Sequence, residues 1–188
     1  MLRQIPNLLT LLRIFLVIPF ALYFLQGRYD LALLLFAIAG VSDGVDGFVA
    51  RQFGWHSRFG AIADPLADKL LLVSTFIILA WLEYIPIWLF ILVFGRDLLL
   101  VCGALFFHFR IAHYDVKPSY LGKACTFIQI AFAAIMLLYL SGYLLNESYI
   151  DVGIASVSII TFLSGIHYIY LWVKEAKFAL NKGVDSER

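Results

Sequence analysis

The segment VSDGVDGFVARQFGWHSRFGAIADPLADKLLL, residues 41–72, places four aspartates between two long apolar runs. The ten residues before it read LALLLFAIAG and the ten after it read VSTFIILAWL. The stretch 52–59 is too short to cross a membrane, so the two apolar runs are predicted to form an antiparallel helical hairpin. Because a carboxylate is strongly destabilised in apolar surroundings unless it is paired, the hairpin is expected to hold a charged site.

The composition of the whole chain indicates a membrane protein. Of its 188 residues 63% are hydrophobic and 14% are charged, whereas a soluble domain has about 45–50% apolar and about 25% charged residues. Apolar runs of about 20 residues are long enough to span a bilayer as helices. We therefore predict an all-α integral membrane protein forming a single domain over residues 1–188. The net charge of +1 offers no basic surface for nucleic acid.

Six transmembrane helices are predicted, with a short interfacial segment at residues 1–7. The helices are expected at residues 8–27, 31–51, 60–82, 86–109, 122–145 and 150–173. Lys and Arg concentrate at the N-terminus, in the loops 51–60 and 110–121 and in the C-terminal tail, and such cationic segments face the cytoplasm. Both termini and the hairpin turn are therefore expected on the cytoplasmic side, and a bacterial inner membrane is the predicted location.

The four aspartates are arranged symmetrically about Trp55. Asp46 and Asp64 each lie nine residues from it, and Asp43 and Asp68 lie twelve and thirteen residues from it. At 1.5 Å of rise per residue, the members of each pair reach similar depths. The two aspartates are three residues apart in the helix before the turn and four residues apart in the helix after it, so each pair lies on one face of its helix. We therefore expect the four carboxylates to converge near the cytoplasmic end of the bundle.

A cluster of four carboxylates needs cations. The groups repel one another unless they are protonated or bound to a cation, and hard divalent ions such as Mg²⁺ or Mn²⁺, possibly two, prefer oxygen ligands. The small residues Gly47, Ala50 and Gly60 permit close approach of a ligand. Arg51 supplies a donor fork suited to phosphate. Together these residues predict phosphoryl chemistry on a lipid-borne substrate with its site facing the cytoplasm.

Two alternatives without catalysis exist for the same cluster. A buried salt-bridge network would leave charge uncompensated, because four aspartates face two arginines, Arg51 and Arg58. A cation channel or transporter, or another non-enzymatic cation-binding bundle, would use the aspartates but would not need the accompanying glycines and arginine. Both alternatives fit the segment less completely than an enzyme does.

The pattern D-x2-D-G-x2-A-R-x8-G-x3-D-x3-D, from Asp43 to Asp68, resembles the complete signature of the CDP-alcohol phosphotransferases, and the similarity extends over essentially the whole chain. The resemblance implies a metal-dependent enzyme, commonly a homodimer, that uses CDP-diacylglycerol as donor and releases CMP. The implied metal ligands are Asp43, Asp46, Asp64 and Asp68. Asp68 is also implied as the general base for the acceptor hydroxyl. The implied CDP-binding positions are Gly47, Ala50, Arg51 and Gly60.

The first predicted helix adds to the nucleotide site. The stretch IPNLLTLLR, residues 5–13, also resembles the opening of the family, and Asn7, Thr10 and Arg13 recur at intervals of three residues. Asn7 and Thr10 are therefore predicted to bind the CDP moiety. For Asn7 the alternative is a helix N-cap or an interfacial residue.

Residues of the fourth and fifth helices are predicted to bind the acceptor. Arg96 lies near the middle of helix 4, where a lipid-facing arginine is costly, so it is expected to point inward, toward an acceptor phosphate or an aspartate of the cluster. Lys123 begins a polar stripe that continues through Thr126 and Gln129 and is expected to line a cavity. Lys117 is the third predicted acceptor contact, with a headgroup-facing surface lysine as its alternative.

Two stretches bear on the identity of the acceptor. GRDLLLV at residues 95–101 and VKPSYLGKACTFIQ at residues 116–129 resemble CMP-forming cardiolipin synthases, which implies phosphatidylglycerol as the acceptor. Phosphatidylglycerol-phosphate synthases usually have Arg-Glu here and a second arginine two turns on, where this chain has Asp97 and Ala104. The alternative is nevertheless such a synthase, with glycerol 3-phosphate as acceptor. In helix 6, Thr161, Ser164 and Tyr168 form a weaker polar stripe, expected to serve helix packing.

Overall fold

The computed structural model describes the backbone of residues 5–53, 60–110, 119–144 and 146–186, and side chains for residues 12–42, 44, 69–103, 119–144 and 146–174. Over these ranges the chain forms six α-helices and no strand, which confirms the predicted all-helical class. The helices are α1 (Ile5–Leu25), α2 (Tyr29–Phe53), α3 (Gly60–Trp81), α4 (Ile87–Arg110), α5 (Tyr120–Leu140) and α6 (Ser148–Ser186).

Three helix boundaries differ from the prediction. α1 begins at Ile5, inside the segment expected to be interfacial, of which residues 1–4 lie outside the described part. α5 ends at Leu140 rather than near 145, because Gly142 adopts a left-handed conformation with φ of 78°. α6 continues to Ser186, because the Lys, Glu, Ala and Leu residues beyond position 173 favour helix although they are less apolar.

The C-terminal ends of α1 and α5 share one turn geometry. At α1 the N–H of Gly27 donates to the carbonyl of Phe24 at 3.0 Å, and that of Arg28 donates to Tyr23 at 2.9 Å. Gly142 and Tyr143 repeat the same two bonds after α5. Both glycines have positive φ, as this C-cap requires. The geometry closes each helix within two residues and turns the chain at once.

α3 ends in the same turn with a different residue at the left-handed position. Glu83 has φ of 60°, and its N–H donates to the carbonyl of Ala80 while that of Tyr84 donates to Leu79. The hydroxyl of Tyr84 lies 2.8 Å from that of Tyr29, so this turn is joined to the start of α2. A residue with a side chain thus occupies a position that favours glycine.

The helices divide into two compact units, of which the first comprises Met1–Ile85 and Ile130–Ile150. Within it α1 packs against both α2 and α3. The rings of Phe20 and Phe36 lie 6.1 Å apart between α1 and α2, flanked on α2 by the buried Ala32 and Ala39. Small residues beside a large aromatic let the two helices approach closely. The core of this unit is therefore mainly apolar.

The second unit comprises Pro86–Gln129 and Asp151–Arg188. On α6 the buried positions recur at helical spacing and are mostly polar: Val157, Thr161, Ser164 and Tyr168. On α4, Arg96 and Asp97 are buried and follow two buried apolar residues, Leu89 and Val93. This unit consequently has a polar interior. The prediction that the whole chain acts as one domain stays a prediction.

Two helices in the described part are long and apolar enough to cross a membrane, Tyr120–Leu140 and Ser148–Lys174. Shorter apolar helical stretches occur at Leu12–Leu25, Tyr29–Ser42 and Lys69–Trp81. The outward positions of α6 are also apolar, for example Ile159, Phe162 and Ile166, as expected for helices surrounded by lipid. These features are consistent with a membrane protein, and the six spans with both termini in the cytoplasm stay predictions.

Candidate functional site

The aspartates of the predicted metal site lie on two of the observed helices. Asp43 and Asp46 belong to α2, and Asp64 and Asp68 belong to α3, so the helices expected on either side of the turn are present. The turn itself, residues 54–59, lies outside the described part. So do the surroundings of ten of the predicted site positions: Asn7, Thr10, Asp43, Asp46, Gly47, Ala50, Arg51, Gly60, Asp64 and Asp68. Their roles stay predictions.

Each pair of aspartates lies at helical spacing from a buried residue of its own helix. On α2, Asp43 and Asp46 follow the buried Ala39 by four and seven residues, the spacing of one helix face. On α3, Asp64 and Asp68 precede the buried Leu72 by eight and four residues, so the same relation holds. Both pairs therefore occupy positions at helical spacing from described buried residues, and the convergence of the four carboxylates stays a prediction.

The donor set suits a divalent metal. Carboxylate oxygens are the ligands that Mg²⁺ and Mn²⁺ prefer, and this chain supplies four of them. Within the ranges whose side chains are described, no three His, Cys, Asp or Glu residues lie close enough to hold an ion. The hairpin aspartates lie outside those ranges, and their role as metal ligands stays a prediction.

Arg96 is a buried cation of the second unit. It is 6% exposed, so it points inward as expected from the sequence. Its Nη1 donates to Oδ1 of the adjacent Asp97 at 2.8 Å. Its Nε and Nη2 donate to Oγ of Ser164 on α6 at 3.2 and 2.8 Å. The guanidinium is therefore held from two helices, α4 and α6.

The start of α5 packs against this arginine. An added β-carbon at Gly122 would come within 2.6 Å of the Tyr168 hydroxyl and 3.3 Å of Nη2 of Arg96, so only glycine fits without displacing them. The guanidinium carbon of Arg96 lies 5.7 Å from the centre of the Tyr168 ring, within the range of a cation–π contact. The backbone of α5 and the ring of Tyr168 thus form two walls around the guanidinium.

Ser119 fixes where α5 begins. Its Oγ accepts from the N–H of Gly122 at 3.0 Å, which is an N-cap bond. Its own N–H donates to the hydroxyl of Tyr168 at 3.2 Å. The capping residue therefore ties the first turn of α5 to the same tyrosine that faces Arg96.

A second polar group lies farther along α5 and α6. Nε2 of Gln129 donates to Oγ1 of Thr161 at 3.3 Å and to Sγ of Cys125 at 3.4 Å. All three residues are fully buried. Oε1 of Gln129 is buried with no hydrogen-bond partner among the described atoms. The amide of Gln129 therefore uses its Nε2 as a donor, whereas its Oε1 accepts no hydrogen bond from the described atoms.

The polar stripe expected along α5 is split in the structure. Gln129 is buried, Thr126 is half-buried with its hydroxyl donating to the carbonyl of Gly122, and Lys123 is exposed. Steps of three residues turn about 60° short of a full helical turn, so the three residues spread around the helix and differ in burial. Lys117 lies outside the described residues, and the acceptor-binding roles of Lys117 and Lys123 stay predictions.

Ser164, Tyr168 and Gly122 surround Arg96 but were not singled out as site residues from the sequence. The expectation for the α6 stripe was helix packing alone. A usable signal was present, because a buried arginine in α4 requires acceptors and the polar residues of α6 recur at intervals of three and four.

Comparison with known proteins finds similarity to one family of phosphatidyltransferases. The family model described as CDP-alcohol phosphatidyltransferase matches residues 3–173. A probable phosphatidylglycerophosphate synthase of Mycobacterium tuberculosis is 34% identical over 173 residues, 88% of this chain and 80% of the relative. A cardiolipin synthase (CMP-forming) of Streptomyces coelicolor is 35% identical over 149 residues, covering 74% and 68%. A CDP-diacylglycerol–glycerol-3-phosphate 3-phosphatidyltransferase of Bacillus subtilis is 31% identical over 187 residues, covering 88% and 93%.

Proposed function

Because this chain belongs to the CDP-alcohol phosphatidyltransferase family, we propose that it transfers a phosphatidyl group from CDP-diacylglycerol to phosphatidylglycerol and releases CMP, as a CMP-forming cardiolipin synthase. Membership confirms the resemblance carried by the pattern from Asp43 to Asp68. It also makes the protein an enzyme of phospholipid biosynthesis, in preference to a non-enzymatic cation-binding bundle.

The acceptor is argued from the charge around Arg96. The guanidinium has the carboxylate of Asp97 at 2.8 Å, and Ala104 stands where related synthases for glycerol 3-phosphate usually have a second arginine. Phosphatidylglycerol carries one negative charge, whereas a phosphomonoester carries about −1.5 to −2 near neutral pH. A single arginine beside a carboxylate suits the phosphodiester better. This ion pair is the observation that carries the proposal.

A second candidate acceptor is glycerol 3-phosphate. Two relatives bear the names of the enzymes that make phosphatidylglycerol phosphate, and they align over 80% and 93% of their own lengths. The relative named cardiolipin synthase from Streptomyces coelicolor aligns over 68% of its length. The names support both acceptors equally, so the choice rests on Arg96 and Asp97.

The proposed site uses the hairpin for the donor. Asp43, Asp46, Asp64 and Asp68 would hold two Mg²⁺ or Mn²⁺ ions, which when bound neutralise charge on the diphosphate of the donor. Around the nucleotide, Gly47, Ala50 and Gly60 leave room for close approach and Arg51 donates to a phosphate oxygen. Asn7 and Thr10 complete the proposed CDP contacts from α1.

The proposed reaction is an in-line displacement. Asp68 takes the proton of the acceptor hydroxyl, whose oxygen forms a new bond to the phosphorus that carries the diacylglycerol, and the bond from that phosphorus to CMP breaks. Arg96, Lys117 and Lys123 are proposed to orient the acceptor. We further propose a homodimer of six-span subunits in a bacterial inner membrane, with the site facing the cytoplasm.

An acceptor screen tests the proposal. Purified protein in detergent receives CDP-diacylglycerol and Mg²⁺ or Mn²⁺, with either phosphatidylglycerol or glycerol 3-phosphate, and the release of CMP is measured together with the lipid product. We expect CMP and cardiolipin with phosphatidylglycerol. The Asp68→Asn variant serves as the control for contaminating activity. CMP released with glycerol 3-phosphate alone would establish the second candidate in place of the first.

A further inference from the structure

The Nε and Nη2 edge of Arg96, which in many proteins binds an anion, here donates to a neutral hydroxyl oxygen. The Nε and Nη2 groups of arginine form a fork that matches the paired oxygens of carboxylate or phosphate. In this protein both groups donate to the single Oγ of Ser164. Ser164 is fully buried and lies 68 residues along the chain from Arg96. The bond therefore fixes α6 to the guanidinium of α4.

Other contacts restrict the guanidinium in the remaining directions. Asp97 holds Nη1 at 2.8 Å, the ring of Tyr168 covers the guanidinium, and the backbone of Gly122 closes the third side. An arginine side chain loses rotamer entropy when it binds a ligand. A side chain already held in one conformation loses less of it at that moment, which favours binding.

Two donors of the held guanidinium have no partner among the residues whose side chains the structure describes. Arginine has five N–H groups, and the bonds to Ser164 and Asp97 use three of them. These three bonds leave one N–H on each of Nη1 and Nη2. Two neighbouring N–H groups in a plane are a suitable pair for the oxygens of a phosphodiester.

We propose that Ser164 is a positioning residue for acceptor binding. Its hydroxyl fixes the Nε and Nη2 edge of Arg96 so that the end of the guanidinium is presented to the acceptor phosphate. The inference rests on the proposed function in one respect, the contact between Arg96 and the acceptor. It assigns the α6 stripe a role beyond helix packing, since packing alone would be served equally well by an apolar residue.

The test compares Ser164→Ala with Ser164→Thr in steady-state kinetics, in detergent micelles containing CDP-diacylglycerol and phosphatidylglycerol. Ser164→Ala removes only the oxygen. We expect it to raise the KM for phosphatidylglycerol about tenfold or more, as loss of a hydrogen bond to a charged group does. The KM for CDP-diacylglycerol and kcat should change less than about twofold, because the donor site and the proton transfer are not altered. Ser164→Thr should restore the acceptor KM.

Two further variants separate a failure of this inference from a failure of the proposed function. Ser158→Ala is the matched control, because Ser158 lies on α6 and its hydroxyl donates to the carbonyl of Ile154 within the same helix. Arg96→Lys tests the premise. If Arg96→Lys raises the acceptor KM and Ser164→Ala does not, the positioning role is wrong while the acceptor site stands. If neither changes it, the acceptor contact of Arg96 is wrong as well.

The same experiment distinguishes the two candidate acceptors, phosphatidylglycerol and glycerol 3-phosphate. If the protein uses glycerol 3-phosphate in place of phosphatidylglycerol, the cardiolipin proposal fails, and the same split in KM is then expected for glycerol 3-phosphate. A general loss of stability in Ser164→Ala, with both KM values and kcat affected alike and no rescue by Ser164→Thr, would show that Ser164 only supports packing and would overturn the inference.

Discussion

The indole of Trp172 on α6 lies directly over Gly103 on α4, in the space that a β-carbon at position 103 would occupy. The two helices, both in the second unit, can approach this closely because residue 103 has no β-carbon. Nearby glycines of the same unit behave differently, because Gly95 and Gly165 have nothing within 4 Å of an added β-carbon. Position 103 is therefore a site of close helix contact, and positions 95 and 165 are not.

We predict that Gly103→Ala destabilises the protein. A rigid ring cannot yield as a flexible side chain can, so overpacking is expected to cost about 1–3 kcal/mol. For a chain of this size the melting temperature shifts by about 2–4 °C per kcal/mol, measured in detergent by loss of near-UV circular dichroism. Gly95→Ala on the same helix should be neutral or stabilising, because alanine favours helix. A double variant with Trp172→Phe should recover part of the loss, and an unchanged melting temperature in Gly103→Ala would contradict the contact.

The turn after α3 predicts a stabilising substitution. Glu83 adopts φ of 60°, a conformation that costs a non-glycine residue roughly 1–2 kcal/mol. We expect Glu83→Gly to raise the melting temperature by a few degrees. The converse substitution is Gly142→Ala, at φ of 78°, which should lower the melting temperature by a similar amount. A destabilised Glu83→Gly variant would show that the glutamate side chain contributes more than its backbone strain costs.

The hydrogen bond between Gln129 and Thr161 predicts a measurable coupling. Side-chain hydrogen bonds between membrane helices contribute about 0.6 kcal/mol on average and at most about 1.7 kcal/mol. We expect a double-mutant cycle of Gln129→Leu and Thr161→Val, measured by unfolding in mixed micelles, to give a coupling energy in that range. Gln129→Leu also removes the buried Oε1, which has no partner among the described atoms, so the single variant should lose little stability. A coupling of zero would mean that the two groups are satisfied elsewhere.

Metal removal and Asp68→Asn should abolish turnover by different routes. Chelation is expected to stop CMP release, and added Mg²⁺ or Mn²⁺ should restore it, because the carboxylates that would hold the ions remain. Asp68→Asn removes the proposed base and one metal ligand, so we expect loss of activity by at least about 10²-fold that excess metal does not restore. The melting temperature should change little. Substantial activity in Asp68→Asn would contradict the assignment of this residue as the base.

The sequence predicted the helices well where the apolar runs are continuous. All six helices were expected, five of them with both ends within about five residues and α6 with its start but not its end at Ser186, and the family was identified from the spacing between Asp43 and Asp68. The boundaries that differ depend on conformations that hydrophobicity does not report, such as the left-handed Gly142 and the propensity-driven extension of α6. A span prediction follows apolar composition, whereas a helix ends where its backbone turns.

The surroundings of Arg96 were predicted only in part. The burial of the arginine follows from the cost of a charge facing lipid, and the sequence indicated it. Its partners on α6 did not follow, because a serine and a tyrosine at helical spacing serve packing in most helices. Which polar face meets which arginine is decided by the way the helices pack, and a single sequence does not specify that pairing.

The bond between Arg96 and Ser164 also has a consequence for biosynthesis. α4 is synthesised before α6, so until α6 has been made Arg96 has Asp97 beside it but not Ser164. Of these two partners, only the adjacent carboxylate can then balance the charge of the guanidinium, and the contact with Ser164 forms once α6 is present. A nascent chain stopped before Ser164 would contain α4 without the contact that holds the Nε and Nη2 edge of Arg96.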